Sequence, residues 1–395
     1  MAYKIVSLFS GCGGLDLGFS GGFLFYDKQF QRLNTKIVFA NDIDKDAATC
    51  YNSNELLTSH GVQCRVEDIR NIDSSEIPDF DILLSGFPCQ PFSNAGNRKG
   101  INDENGRGTL FEECERIIRD KVKKGNPPKA FVFENVRGIM SSKMPDGTTV
   151  PDEIKKRMEG LGYKVSSKLL CASNYGVPQK RYRFLIVGVN KDYPEFDFKE
   201  LDNIIISLQI PSSIHSTDER LLLGSILQGV ESLPDNQFWP YSLTTQKTVE
   251  LIGPCEHGHK LDKIFQKGFV KENLPEIAFK GRSWKDIPYD KLSPRFKKIF
   301  DNPKKYHSPK FFRRFAYGEI NGTITASAQP ENCGITHPIE NRRYTVREIA
   351  RIQSFPDNYT FSSIPIQSQY KVIGNAVPPI LGWVIAKALI KHLDK

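Results

Sequence analysis

Cysteine, carboxylate and arginine stand in this chain at the ends of short apolar runs. Gly86-Phe87-Pro88-Cys89-Gln90-Pro91-Phe92-Ser93 follows the apolar run Ile82-Leu83-Leu84. Prolines fix φ and keep a segment out of a helix, so Pro88 and Pro91 would hold the Cys89 thiol on a stiff turn. A thiol so placed is a candidate nucleophile. An isolated cysteine also serves as a small buried hydrophobe. No second Cys or His lies within a few residues, which argues against metal ligation. Glu134, in Glu134-Asn135-Val136-Arg137-Gly138, ends another apolar run, where its carboxyl group can bond a ring nitrogen. Gln179-Lys180-Arg181-Tyr182-Arg183 leads into a further run. Arg181 and Arg183 alternate, so in an extended chain both point to one face. Such a pair is ordinarily solvated; here it would lie near the same crevice.

A second group marks a ligand end. Phe9-Ser10-Gly11-Cys12-Gly13-Gly14-Leu15-Asp16 follows the first apolar run. Glycines after a strand permit a tight turn and close approach of a ligand to the backbone. The spacing misses the third glycine of the dinucleotide fingerprint, and no Lys-Ser/Thr follows to cradle phosphates. A plain glycine-rich turn fits equally well. In Phe39-Ala40-Asn41-Asp42-Ile43-Asp44 an acid sits at the next strand tip, placed to accept from both hydroxyls of a ribose. Asp42 or Asp44 would serve equally as a helix cap. Asp68, followed by Ile69, can accept from an adenine amine or cap a turn. Together these point to an adenosine-containing cofactor without a diphosphate.

To position these groups the chain must alternate strands and helices. Strands are expected over 4–9, 35–40, 80–85, 130–134 and 183–189, and helices over 110–124 and 152–161. That order argues for an α/β fold, a mostly parallel sheet wrapped by helices, with ligands beyond the carboxyl ends of the strands. Residues 94–108 carry four glycines with Arg98, Lys99 and Arg107, which suits either a lid closing over an anionic substrate or a surface loop. Periodicity falters near 191, where a second, irregular domain is expected. Helical order returns over 345–353 and 380–393.

The chain's 395 residues suggest two or three domains, and 39% hydrophobic with 25% charged residues excludes wholesale disorder. No run approaches the roughly 20 apolar residues of a membrane helix. Met1–Val6 reads as a first strand and not as a signal peptide. Eight scattered cysteines show no disulfide rhythm, which fits a reducing cytoplasm. The net charge of +8 favours an anionic partner. Residues 260–315 hold 16 Lys/Arg against 6 Asp/Glu, a local net of +10. Basic residues interleave there with aromatics, as in Phe296-Lys297-Lys298-Ile299-Phe300 and Lys310-Phe311-Phe312-Arg313-Arg314-Phe315. The pattern suits a groove gripping phosphates; a solvated face is the plainer alternative. On the first reading Lys297 with Lys298, and Arg313 with Arg314, are phosphate contacts, unless one arginine reads a guanine edge. Cys255-Glu256-His257-Gly258-His259 offers three possible zinc ligands without a second cluster, so no metal is expected.

Taken in order, these motifs resemble the cytosine-C5 DNA methyltransferases of bacterial restriction–modification systems, over most of the chain. Arg107-Gly108-Thr109-Leu110-Phe111, Arg343-Tyr344-Thr345-Val346-Arg347-Glu348 and Gly374-Asn375-Ala376-Val377-Pro378-Pro379 add to the likeness. The resemblance implies a Rossmann-like catalytic domain binding S-adenosylmethionine, with helices on both faces of its sheet, and a smaller target-recognition domain. It divides the chain into 1–195 (catalytic), 196–342 (recognition), 343–362 (hinge and support) and 363–395 (return to the catalytic domain). Cofactor contacts would be Phe9, Gly11, Cys12, Gly13, Gly14, Asp42, Ile43, Asp68, Ile69, Pro88, Leu110, Asn375 and Ala376. Close relatives stack an aromatic on adenine where this chain has Ile43. The catalytic set would be Cys89, Glu134, Arg181 and Arg183. Cys89 would add to C6 of a cytosine flipped out of double-stranded DNA, so that C5 becomes nucleophilic. Its thiol pKa must fall from about 8.5 for this, by nearby cations and backbone donors. Glu134 would engage N3 and Arg183 would face O2. The implied enzyme is a cytoplasmic, nucleoid-associated monomer paired in function with a restriction endonuclease. A tRNA-methylating relative, a non-catalytic DNA-binding relative and a nicotinamide oxidoreductase are the alternatives. The first lacks support because the Cys-Phe-Thr signature of eukaryotic tRNA relatives is missing.

Overall fold

The computed structural model describes residues 2–59, 61–88, 110–255, 276–302 and 310–395. The chain folds as two compact units. The first comprises 1–175, 182–210 and 376–395; the second comprises 176–181 and 211–375. Residues 343–375, set apart above as hinge and return, thus pack with the second unit.

The first unit is built on a seven-stranded sheet: β1 (Tyr3–Leu8), β2 (Thr35–Asp42), β3 (Cys64–Val66), β4 (Ile82–Ser85), β5 (Ala130–Val136), β6 (Tyr163–Cys171) and β7 (Tyr182–Asn190). Their spatial order is β3-β2-β1-β4-β5-β7-β6. The pairs β1/β2, β1/β4, β2/β3 and β4/β5 are parallel. Only β7 runs against its neighbours β5 and β6. The chain winds from β1 to β2 and β3 on one side and to β4 and β5 on the other. The switch point, where ligands of such sheets bind, therefore lies at β1. Alternation along β1 sends Val6 and Leu8 into a core with Ile117, Ile118, Phe131, Phe133, Ile154 and Ile186. Ser7, facing the other way, meets Asp16 of the helix Gly14–Ser20. That helix packs on Pro379–Leu393, where a Cβ at Gly18 would fall 2.7 Å from the Gly382 backbone. The strong apolarity of Pro379–Leu393 follows from burial of nearly all its side chains.

The second unit has little regular structure and is tied by buried arginines. Thr345 caps the helix Val346–Ile352 through a capping box with Glu348, and every residue of that helix is buried. Arg347 donates to the carbonyls of Pro234, Pro356 and Tyr359 and pairs with Asp235 at 3.0 Å, both side chains being fully enclosed. Removing one partner of such a pair leaves an uncompensated buried charge. Arg347→Met should therefore cost about 3–5 kcal/mol. Adding Asp235→Asn should recover part of that loss. Urea midpoints of the two variants check this, and an unchanged midpoint for Arg347→Met would refute the tie.

Several aromatics and one arginine of the basic segment belong to the core. Phe296, Phe311 and Phe312 join Trp284, Ile287 and Leu292 in a closed core cluster. Arg314 is fully buried, donating to carbonyls of Val249, His337, Ile339 and Glu340 and to the Asn341 side chain. It cannot be a phosphate contact, because its guanidinium is enclosed inside the unit. Lys297 lies over the Tyr289 ring on the helix Pro294–Phe300. His257 and His259 lie outside the described residues.

Candidate active site

The glycine turn after β1 is shaped by positive φ. Phe9 (φ 55), Gly11 (φ 58) and Gly13 (φ 78) all take the left-handed region, which favours glycine and strains Phe9. A Cβ at Gly13 would fall 2.2 Å from Leu57 and 2.8 Å from Tyr51, whereas one at Gly11 would meet nothing within 4 Å. The turn is thus packed behind and open in front. Asp42, at the tip of β2, accepts from the backbone N–H of Gly11 and of Asp44, each at 2.8 Å. Asp44 takes the capping role, accepting from Asp46 and Ala47 at the start of Lys45–Asn52. A carboxylate has about four lone-pair sites, so Asp42 keeps capacity for ribose hydroxyls. Ile43 is 64% exposed and Val66, paired with Asp42 across β2/β3, is 50% exposed. Exposed aliphatic side chains flanking an acid at strand tips fit an adenosine moiety. Asp68 caps the turn Ile69–Asn71 and is ion-paired to Arg70, whose guanidinium holds its carboxyl below the usual range. The side chains of Cys12 and Ile69 are buried, so these residues can offer a cofactor only their backbone. Asn375 is exposed at the end of Ile366–Asn375 in the second unit, and Ala376 begins the last segment of the first.

Behind the turn sits a buried carboxyl the sequence reading passed over. Asp16 accepts from Ser7 Oγ at 2.6 Å and Tyr51 Oη at 2.9 Å. Burial pushes its pKa up to about 6 from 3.8, against the downward pull of both hydrogen bonds. The folded protein thus holds this proton more tightly than the unfolded chain. Stability contributed here falls as pH rises between those two values and is level above them. Asp16→Asn cannot ionise and should stabilise the protein by up to roughly 3 kcal/mol at pH 8, with no gain below about pH 4. Thermal melts across that range test it, and a pH-independent difference would refute it.

The turn toward Cys89 leaves β4 at Gly86, where a Cβ would lie in ordinary contact 3.6 Å from Glu134 Oε2. Phe87 anchors the turn in the core, with ring centroids 5.8 Å from Phe133 and 6.4 Å from Phe111. Asn135, buried beside Glu134, donates to the Phe87 carbonyl at 3.2 Å. Asn135 and Phe87 are positioning residues the sequence reading did not single out, though both lie within its motifs. Pro88 is half-buried; Cys89 and the expected lid 94–108 lie outside the described residues. Leu110 packs on the core at the start of Phe111–Lys123.

Glu134 and Arg183 form an ion pair at 2.5 Å, each less than a tenth exposed. The reversed direction of β7 makes this possible. Its amino end lies beside the carboxyl end of β5, with Arg183 opposite Val136. Arg181 donates elsewhere. It is fully buried in the second unit and donates to the carbonyls of Ile324 and Gly374, each at 2.8 Å. Its guanidinium ties parts of that unit together. Neither arginine is solvated, unlike most such pairs.

A family model, C-5 cytosine-specific DNA methylase, matches residues 3–391. The chain is 32% identical over 99% of its length to the type II methyltransferase M.FnuDI of Fusobacterium nucleatum, of which it covers 95%. It is 31% identical over 99% of its length to M.NgoPII of Neisseria gonorrhoeae, covering 96%. Among solved structures it resembles a prophage-encoded E. coli protein described as a DNA modification methyltransferase. There the TM-score is 0.61 at 20% identity, covering 100% of both chains, a likeness of fold. With its sheet, its open glycine turn and its Glu134–Arg183 pair, the chain belongs to the C-5 cytosine-specific DNA methylases, enzymes that move a methyl group from S-adenosylmethionine to C5 of cytosine in DNA.

Proposed function

We propose that the residues of the first unit perform this transfer on a cytosine flipped out of a specific duplex sequence, and that the second unit selects the sequence. The observation that carries the reading is the buried Glu134–Arg183 pair, held beside the turn that leads to Cys89. When bound, S-adenosylmethionine supplies an electrophilic methyl group. The Cys89 thiolate adds to C6, and the electron pair of the 5,6 double bond becomes available at C5. Glu134 bonds N3 and Arg183 donates to O2, so charge moving onto the ring meets groups already in place. After methylation a base takes the C5 proton, the double bond re-forms and Cys89 leaves as thiolate. Asp42 holds the ribose, with Ile43 and Val66 against the adenine. The chain acts in the cytoplasm as a monomer on nucleoid DNA. It protects that DNA from a cognate endonuclease, as the type II names of its relatives support.

Transfer of tritiated methyl groups to duplex DNA and to tRNA tests the substrate, and bisulfite sequencing places the mark. Label on one cytosine of a fixed duplex sequence is expected. Label in tRNA alone would sink the reading.

A further inference from the structure

The second unit contains a cavity of about 450 Å³ whose lining includes Lys180, Phe279, Lys310, Arg313, Phe315 and Glu319. Arg313 is held from three sides. Its strand pairs with Arg282–Ser283, which fixes the backbone. Its Nη2 donates to Glu319, whose other oxygen accepts from the Ala316 backbone N–H. Its guanidinium lies over the Phe315 ring, 4.6 Å from the centroid. That ring is wedged against bare backbone, since a Cβ would come within 2.9 Å of it at Gly322 and 2.2 Å at Gly334. Arg314 points the opposite way along the strand into its cage of carbonyls, so the strand cannot roll. Arg313 Nε is buried without a hydrogen-bond partner among the described residues, while the side chain is still 33% exposed.

An arginine ordinarily loses about 2 kcal/mol of rotamer entropy when it is fixed. Here the fold has already fixed it, with donors to spare and its plane set by a ring. A phosphate contact needs no such ordering, because a flexible point charge serves. A planar fork held in one orientation is what the O6 and N7 of guanine require. We propose that Arg313 is a specificity-determining residue that reads a guanine in the target duplex, with Lys180 and Lys310 toward the adjoining phosphates. The proposal rests on the reading of the second unit as the part that selects sequence.

Bisulfite mapping of DNA from cells expressing the wild type, Arg313→Lys or Arg313→Ala tests it. The wild-type map alone tests sequence selection: methylation of no fixed sequence sinks that reading before any variant is compared. Given a motif, both variants should still methylate, and one guanine outside the target pair should become degenerate. Preference at that position should fall roughly 5- to 150-fold. Lys keeps the charge and can still pair with Glu319, so a mere phosphate contact leaves Arg313→Lys with the wild-type motif, and that result overturns the proposal. A wild-type motif with no guanine outside the target pair overturns it as well. If Arg313→Ala does not fold, Arg313→Lys decides alone.

Discussion

Cys89→Ser should abolish methyl transfer while leaving duplex binding intact. A serine hydroxyl is protonated at neutral pH and adds to C6 far more slowly than a thiolate, so a loss of at least about 10⁴-fold is expected. The chain before residue 89 is fixed by Phe87 in the core and by Asn135 on the Phe87 carbonyl, and a one-atom change at 89 disturbs neither. Binding draws on phosphate contacts that the substitution does not touch. Filter binding and single-turnover methylation separate the two effects. Near wild-type turnover would end the covalent mechanism. Duplex containing 5-fluorocytosine gives the complementary result. Its C5 fluorine cannot be removed as a proton, so the wild type should stall as a covalent complex. Mass spectrometry should then find the adduct on Cys89, and an adduct elsewhere would refute the assignment.

Glu134→Gln should slow single-turnover chemistry by roughly 10²–10⁴. Gln keeps the shape and an oxygen for Arg183, yet it cannot share a proton with N3. It also removes the counter-charge of a guanidinium that is 8% exposed, so some stability should go with the rate. Rates are therefore best compared well below both melting temperatures. The apparent KM for S-adenosylmethionine should change little, because Asp42 is held by Gly11 and Asp44 and not by Glu134. A rate within a factor of two of wild type would remove Glu134 from the catalytic set. A raised KM with unchanged chemistry would move it to the cofactor site.

Two of the strands legible in the sequence are buried on both faces. Ile82–Ser85 is enclosed throughout, as is Ala130–Val136 but for its last residue, and both read as plain apolar runs. Tyr163–Cys171 escaped notice because it is an edge strand with one solvated face, carrying two Lys and two Ser. The ligand motifs were legible because glycine, proline and strand-tip acids follow from local backbone chemistry. Roles set by packing were not. Arg313 and Arg314 are neighbours of one type; strand register alone sends one to a cavity and the other to a buried cage. Phe296 and Phe311, read as part of a phosphate-gripping pattern, pack on each other, because composition cannot say whether rings face a groove or the core; their centroids lie 5.5 Å apart. Arg181 fits the family's motif, yet its donors go to carbonyls of residues more than 140 positions away.

The close approach of Gly18 to Gly382 has a consequence for how the protein is made. Pro379–Leu393 covers the helix Gly14–Ser20, Trp383 donates to the Gln31 carbonyl, and Tyr3 donates to Asp394. Tyr3–Leu8 and Gly14–Ser20 leave the ribosome well before Pro379–Leu393, and their apolar face stays uncovered until that helix is made. The second unit's residues, ending at 375, emerge before that helix does. Domains usually mature in the order they are translated; here the sheet's strands are all made by residue 190, but the helix that covers Gly14–Ser20 follows the whole second unit. A chain that stops short of Pro379–Leu393 therefore leaves the helix Gly14–Ser20 without its cover.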